Sequence, residues 1–330
     1  MPLDSGEALW DFFEDWRQSN GPANAVYTAR FGKGRIDLAF YGSHLAEIYH
    51  RALLGSQDEY PPRLLDVCIF DGAEVLPLPK LGWQVRDFGL KRRVPGWSNE
   101  DRSVYLLRSE KGVAVADWRH RRAYIWISGH GAIPWWERAA PLRWLFDDLA
   151  RHSKMATLHA AVLARNHRAV VIAGRGGTGK STLALACVEQ GMDYLSDDYC
   201  LLDTRRGAAC MALYGTAKMN SASADRAGKD ILFLNETSPG ALTASADVVA
   251  ILLPRFAAKL SIERVSPGLA LQQLAPSTVA QSEASGPDLL RQLVTLANAA
   301  PAYRFEMPPD PQICAGAVLT LLEGGAVRLS

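Results

Sequence analysis

Residues 169–203, AVVIAGRGGTGKSTLALACVEQGMDYLSDDYCLLD, place a glycine-rich loop between an apolar β-type run and an amphipathic helix. The loop satisfies the pattern GxxxxGK[ST] in the strand–loop–helix context that this pattern requires. Glycines allow backbone N–H groups to face a phosphate, and the helix N-terminus adds positive potential. Lys180 would reach the β- and γ-phosphate oxygens, and the Ser181 hydroxyl would bind Mg²⁺. The stretch therefore predicts a site for ATP and Mg²⁺, formed by Gly174, Arg175, Gly176, Gly177, Thr178, Gly179, Lys180, Ser181 and Thr182.

Two adjacent aspartates follow the loop unusually soon. Asp197 and Asp198 come 17 and 18 residues after Lys180, on the next β-type segment. That segment is predicted to run parallel to the strand before the loop and to lie beside it. Neighbouring strand residues point to opposite faces, so one aspartate could approach Mg²⁺ while the other meets an acceptor hydroxyl. Since LSGGQ-like and NKxD motifs are absent from the sequence, the pattern favours ATP-dependent phosphoryl transfer to a hydroxyl.

Composition excludes several other classes of protein. The 330 residues are 48% hydrophobic and 22% charged, and the net charge is +1, so no overall field favours nucleic acid or membrane partners. The five cysteines form no CxxC pair, which speaks against a disulfide framework or a structural zinc site. The N-terminus lacks the features of a signal peptide, and no apolar run is long enough to span a bilayer. We expect a cytoplasmic protein.

Tryptophan divides the sequence. All nine tryptophans lie in the first 144 residues, which predicts two domains, 1–150 and 151–330. The mixed helix and strand patterns of the first domain predict an α+β fold, and the strand–loop–helix of the second predicts an α/β fold. Periodicity predicts a helix over 7–18 in the first domain and a helix over 141–155 that leads into the second. Tryptophans are more often core residues than a binding surface. Because this domain carries no catalytic motif, we expect it to recognise the acceptor. The β-type runs of the first domain lie at 25–32, 34–42, 63–71, 112–118 and 121–129.

Three features at fixed spacing resemble the HPr kinase/phosphorylases, which share a fold with ATP-dependent phosphoenolpyruvate carboxykinases. They are His159 in LHAAV, 21 residues before Lys180, the loop itself, and the SDD sequence that ends at Asp198. The overlap covers residues 157–203. Segments 212–220, 247–256 and 311–323 look like those of shorter HPr-kinase-like proteins, some of which phosphorylate serine on lasso-peptide precursors. The resemblance implies an HPr-kinase-like catalytic domain of the carboxykinase fold for residues 151–330.

Site roles follow from this resemblance. Lys180 would hold the transferred phosphate, and His159 would line the site beside the phosphates. Asp198 would accept the proton of the substrate hydroxyl, while Ser181 and Asp197 would bind the metal. The roles of Asp197 and Asp198 could also be exchanged.

The sequence departs from the family after the acidic pair. The glutamate of the family's glycine-rich signature has no counterpart in YGTAKMNSASADR at 214–226. Lys218 could supply positive charge there and Asp225 could be a metal ligand, but a surface position is the expectation for both. Arg255 and Arg264 are candidates for the arginine on which the family's reverse reaction depends, and the reverse reaction is not predicted.

The sequence therefore predicts an ATP- and Mg²⁺-dependent kinase whose partner is a protein or peptide carrying a serine. Two alternatives stay open. One is a kinase that acts on a small molecule such as an amino acid or a sugar. The other is a nucleotide-dependent binding module without catalysis. The sequence leaves open whether the chain forms a homo-oligomer.

Overall fold

The computed structural model is a mixed α/β protein with several sheets. It describes residues 3–55, 61–83, 92–107, 111–129, 131, 133–220, 229–283 and 286–324, and for 220 and 229 the backbone only. The chain divides into two compact units, Met1–Pro141 and Leu142–Ser330. This division lies earlier in the chain than residue 150, because the helix that contains Trp144 packs with the second unit.

The first unit contains one mixed sheet. Within the described residues its strand order is β1-β2-β3-β6-β5-β4, with β2, β3 and β6 parallel and the other neighbours antiparallel. The strands are β1 (Ala25–Phe31), β2 (Gly34–Tyr41), β3 (Arg63–Asp71), β4 (Arg102–Leu107), β5 (Gly112–Asp117) and β6 (Arg122–Ile127). The helices are α1 (Gly6–Ser19), α2 (Leu45–His50) and α3 (Trp135–Ala139).

Aromatic side chains fill the core of the first unit. Helix α1 begins after Ser5, whose hydroxyl accepts a hydrogen bond from the Ala8 N–H, and it buries Leu9 and Phe13 against the sheet. A larger group packs in or against the same core and comprises Trp10, Trp16, Trp83, Trp97 and Trp126. Trp10 is buried and the other four are partly buried, so these tryptophans contribute to the core of the unit, as their chemistry predicts.

The second unit contains the remaining strands and helices. Its helices are α4 (Arg143–His152), α5 (Lys180–Glu189), α6 (Leu234–Thr237), α7 (Pro267–Gln281), α8 (Pro287–Ala299) and α9 (Pro311–Leu322). Its first strands are β7 (Ala156–His159), β8 (Ala161–Arg165), β9 (Arg168–Ile172), β10 (Asp193–Ser196), β11 (Tyr199–Asp203) and β12 (Ala209–Ala212). Its later strands are β13 (Thr216–Asn220), β14 (Lys229–Phe233), β15 (Ser245–Phe256), β16 (Ser261–Val265) and β17 (Ala302–Met307).

Nine of these strands form one sheet within the part of the chain that the structure describes. The order is β10-β8-β9-β15-β12-β11-β7, and β17 joins β15 and pairs with β16. Strands β13 and β14 form a separate antiparallel pair. Strand β9 leads into α5, and the long strand β15 lies parallel to β9 at its side. The C-terminal ends of β9 and β15 therefore meet at one edge of the sheet, where ligands of α/β sheets commonly bind.

Two paired strands of this sheet bend at the same place. Strands β7 and β8 are separated by Ala160 alone, and β10 and β11 are separated by Asp197 and Asp198. Strand β7 pairs with β11 and β8 pairs with β10, with a register shift after Tyr194. The Ala160 N–H donates to the Asp198 carbonyl at 3.1 Å, so one backbone hydrogen bond persists across the interruption. A bulge of this kind bends both strands and re-aims the side chains beside it.

Helix α5 is anchored in the core of the second unit. Leu183, Ala184 and Cys187 pack against β8, β9 and α9 in a cluster that includes Val170 and Phe305. No helix within the described residues is long and apolar enough to cross a membrane.

Candidate active site

The glycine-rich segment 174–179 forms the turn between β9 and α5. Gly177 and Gly179 both have φ of +84°, a left-handed conformation that side chains with a Cβ adopt only under strain. The Lys180 ammonium folds back into the turn, where it donates to the carbonyls of Gly174 at 2.8 Å and Arg175 at 3.0 Å. Those carbonyls hold the Lys180 ammonium inside the loop. The loop also lies at the N-terminus of α5, where the helix dipole favours an anion, so both features attract a phosphate.

The bend between β10 and β11 carries the acidic pair. We predicted that Asp197 and Asp198 lie on a strand next to β9, the strand before the loop, and this is wrong in two respects. The strand before them, β10, has the predicted direction, but β8 lies between it and β9. The aspartates themselves occupy the bend and not the strand, so the alternation of strand faces does not decide where they point.

His159 reaches Asp198 across the bend. It is the last residue of β7 and the register partner of Tyr199, the first residue of β11. Its Nε2 lies 2.6 Å from Asp198 Oδ1, and Gln281 Nε2 lies 3.4 Å from the same ring nitrogen. His159 is buried, and its backbone N–H donates to the Thr278 hydroxyl at 3.3 Å. The structure therefore places His159 beside the acidic pair.

Lys218 completes the surroundings of Asp198. We expected a surface position for Lys218, but only 11% of its side chain is exposed and its ammonium contacts Asp198 Oδ2. The same ammonium lies 5.3 Å from the centre of the Tyr199 ring. Burial raises the pKa of Asp198, but the charge of Lys218 and the hydrogen bond from His159 outweigh it and hold that pKa well below its usual range. Asp198 is therefore a carboxylate between two basic groups.

Asp197 has the opposite electrostatic character. It is 3% exposed, and its Oδ2 accepts the Lys218 backbone N–H at 2.8 Å. Burial raises its pKa, although that N–H and the Ser181 hydroxyl both lower it in part. Its Oδ1 is buried and has no hydrogen-bond partner among the described residues. A buried carboxylate oxygen beside the loop serine is a donor set that suits a hard divalent cation.

A metal at this point would depend on few protein ligands. The described residues contain no group of three or more His, Cys, Asp or Glu that could hold a metal ion. Mg²⁺ is commonly held by one or two carboxylates together with substrate phosphates and water, so Asp197 and Ser181 fit it. Asp225, the other ligand considered from sequence, lies outside the described residues.

Arg255 lies on β15, between two residues that approach the glycine-rich loop. It is exposed, one residue before the end of β15, and its register partner on β17 is Glu306. Its neighbours touch the loop, since a Cβ on Gly174 would lie 3.6 Å from Pro254 and one on Gly179 would lie 3.1 Å from Phe256. Because neighbouring strand residues point to opposite faces, the side chain of Arg255 lies on the face opposite to the one on which Pro254 and Phe256 approach the glycines. Arg255 is also on a different strand from the His159–Asp198 pair. Arg264 is exposed on β16.

Some residues of the site carry no sequence signal. Tyr199 and Gln281 both contact His159, and Arg143 stacks over the Tyr199 ring at 4.9 Å. Gln281 ends a helix more than a hundred residues along the chain, so only the fold brings it to His159.

No protein-family model matches this chain, and no curated protein matches it. Among solved structures, the HPr(Ser) kinase/phosphatase from Coxiella burnetii matches at 16% sequence identity with a TM-score of 0.33, over 51% of this chain and 93% of that chain. A likeness this low supports no inference about activity or substrate, so the functional argument depends on the geometry of the site.

Proposed function

We propose that this chain is an ATP- and Mg²⁺-dependent kinase that transfers the γ-phosphate to a serine hydroxyl of a protein or peptide, such as a ribosomally made precursor peptide. One observation carries the proposal. The bend between β10 and β11 brings Asp197 to the Ser181 hydroxyl of the glycine-rich loop and Asp198 to His159. A candidate metal ligand thus lies beside the glycine-rich loop, and the residue after it is a candidate proton acceptor.

Asp198 is the proposed proton acceptor. Its oxygens contact His159 and Lys218, but a carboxylate has about four lone-pair positions, so a hydroxyl can still donate to it. In the transfer, the serine oxygen forms a bond to the γ-phosphorus while the bond from that phosphorus to the β,γ-bridging oxygen breaks. The hydroxyl proton passes to Asp198, and ADP leaves. His159 and Lys218 keep Asp198 ionised and oriented. Because they also make it a weaker base, Asp198 would position the hydroxyl first and take its proton late in the transfer.

Two lysines supply positive charge near the reaction, Lys218 beside Asp198 and Lys180 in the loop. Lys180 is already directed into the loop that would hold the phosphates. Charge that develops on the transferred group is stabilised most by donors fixed in place beforehand. Ser181 and Asp197 would hold Mg²⁺, which supplies further neutralisation of the phosphate oxygens when it is bound.

The proposal is tested with the Lys180→Ala variant. Loss of the loop ammonium should slow phosphate transfer by at least about a hundredfold, since such groups contribute several kcal/mol to phosphoryl transfer. Lys259→Ala removes an exposed lysine of the same unit and is the matched control. The assay uses labelled ATP with serine-containing peptides and, separately, with free hydroxyl compounds, followed by mass analysis of the products.

Each outcome of that assay bears on one class of function. Phosphopeptide formation that depends on Lys180 supports the proposal. Phosphorylation of free compounds alone would favour the small-molecule kinase. Tight nucleotide binding without transfer to any acceptor would favour the binding module, and unchanged turnover in Lys180→Ala would contradict the role of the loop.

A further inference from the structure

We propose that a cleft in the second unit, separate from the glycine-rich loop, binds a free α-amino acid. The cleft has a volume of about 340 Å³, within the usual range for small-molecule sites. It lies between the C-terminal part of α4, the start of β7 and the first turns of α8. The loop 174–182 and the acidic pair contribute no residue to its lining. The inference therefore stands independently of the proposed kinase activity.

One part of the cleft is suited to an ammonium group. Asp147 is almost completely buried, and its two oxygens accept hydrogen bonds from the Thr157 hydroxyl and from the Glu283 N–H. Each carboxylate oxygen can accept a second hydrogen bond. Burial raises the pKa of Asp147 to about 6, with Arg143 opposing this, so the group is mainly ionised at neutral pH.

A second acceptor in the same cleft lacks a donor. Gln292 Oε1 is buried and has no hydrogen-bond partner within the described part of the chain. A buried carbonyl oxygen without a donor costs about 1 to 3 kcal/mol, so a ligand that supplies one gains that energy. An ammonium carries three N–H donors, so one ligand group can donate both to the Asp147 carboxylate and to Gln292 Oε1.

Cationic groups also line the cleft. Lys154 is exposed, and Arg291 pairs with Asp288 at 2.7 Å with both side chains largely exposed. Exposed ion pairs contribute little, so Arg291 can turn toward an anion at small cost. A ligand carboxylate would therefore find partners here, while Met155 and Leu289 offer apolar surface to a side chain.

A cleft with buried acceptors on one side and cationic side chains on the other favours a zwitterion over a ligand with a single charge. A phosphate or nucleotide would place its charge against Asp147, and a simple amine would leave the cationic groups unused. An α-amino acid carries both charges on one carbon and satisfies both sets of partners.

The test is calorimetry on the full chain without nucleotide, with the twenty amino acids titrated singly up to about 10 mM. We expect at least one to bind, and we expect its α-hydroxy acid and its carboxamide to bind at least about tenfold more weakly, a loss of 1.4 kcal/mol for each end. Gln292→Leu and Lys154→Met should each weaken binding to a similar extent. Gln292→Glu keeps an oxygen acceptor and should retain binding. Lys180→Ala and Lys259→Met should leave the affinity unchanged.

Three results would overturn the assignment. One is that no amino acid binds. Another is binding that survives both Gln292→Leu and Lys154→Met. The third is binding that Lys180→Ala abolishes, because the ligand would then occupy the loop. Thermal melting of each variant confirms that it is folded, and Gln292→Glu provides a folded comparison if Gln292→Leu is not.

Discussion

Asp197 and Asp198 are neighbours in sequence with opposite pKa shifts. The pKa of Asp197 is raised, chiefly by burial, whereas the Lys218 ammonium and His159 lower the pKa of Asp198 more than burial raises it. Adjacent carboxyl groups with diverging pKa values are typical of sites in which they perform different tasks. Asp197, with a free buried oxygen beside Ser181, suits a metal. Asp198 stays ionised between Lys218 and His159 and can accept a hydrogen bond from a hydroxyl, but its lowered pKa makes it a weaker base than an ordinary carboxylate.

Asp198→Asn should separate proton transfer from nucleotide binding. An amide keeps the shape of the side chain but cannot accept the proton, so we expect transfer to be at least about a hundredfold slower while Mg-ATP binds nearly normally. Single-turnover rates and calorimetry measure the two quantities. Asp247→Asn, an exposed change on β15, is the control. A wild-type rate in Asp198→Asn would remove Asp198 from the chemistry.

Asp197→Asn should fail differently. The amide oxygen is a weaker ligand than a carboxylate, so half-maximal activity should require more Mg²⁺, and excess Mg²⁺ should recover part of the rate. Magnesium titrations of the transfer rate decide this. If instead Asp197→Asn loses its rate at every magnesium concentration while Asp198→Asn responds to magnesium, the two roles are exchanged. If both variants keep wild-type rates and magnesium curves, the acidic pair is only a bend between strands.

At the scale of elements, Glu14 joins helix α1 to the sheet through hydrogen bonds with residues of β6. Its carboxylate accepts hydrogen bonds from Arg17 at 2.5 Å, from Arg122 at 3.3 Å and from the Tyr124 hydroxyl on β6. Burial opposes ionisation, yet the hydrogen bonds from Arg17, Tyr124 and Gln18 and the charge of Arg17 lower the pKa of Glu14 from 4.5 to about 2. A lowered pKa stabilises the folded state above pH 4.5, and this contribution is lost as the pH falls toward 2.

Glu14→Gln should therefore destabilise the protein at pH 7 by about 1 to 3 kcal/mol, a range discounted for partial exposure. The difference from wild type should shrink as the pH falls from about 4.5 toward 2. Urea unfolding across this pH range measures it. Asp15→Asn, an exposed change on the same helix, should have little effect at any pH. If the free energy of unfolding of Glu14→Gln is lower than that of wild type by the same amount at every pH, the loss of stability is due to packing.

At the scale of the whole molecule, two units with different contents imply a division of labour. The loop, the acidic pair and His159 all belong to Leu142–Ser330. We expect the fragment 142–330 to bind Mg-ATP with nearly full affinity. We also expect it to lose specific phosphorylation of the acceptor, because we propose that the first unit recognises the acceptor. The fragment must include α4, since Asp147 and Arg143 contact β7 and β11. Equal acceptor phosphorylation by fragment and full chain would place recognition in the second unit.

The sequence predicted the parts of the site that local patterns encode. The glycine loop with its flanking strand and helix follows from a short motif, and the resemblance directed attention to His159 beside the phosphates. The contact of His159 with Asp198 was not predicted and comes from the structure alone. The burial of Lys218 depends on β13 pairing with β14, and the position of Gln281 depends on the end of α7, which no local pattern records. Strand β7 has only four residues, and the bend occupies only Asp197 and Asp198 between strands of four and five residues. Segments this short show no periodic pattern, so periodicity could not find either.

The shared bend has a consequence for how the protein can lose its activity. His159, Asp197 and Asp198 interrupt or end strands that continue on both sides into the core, and the Ala160–Asp198 backbone bond joins the two interrupted strands. These residues do not lie on a loop that could open while the rest of the sheet stays folded. The acidic pair therefore loses its arrangement only when the sheet that carries it unfolds. A core substitution far from the glycine loop that raises the unfolded fraction removes competent sites in the same proportion, and the molecules that stay folded keep the full arrangement.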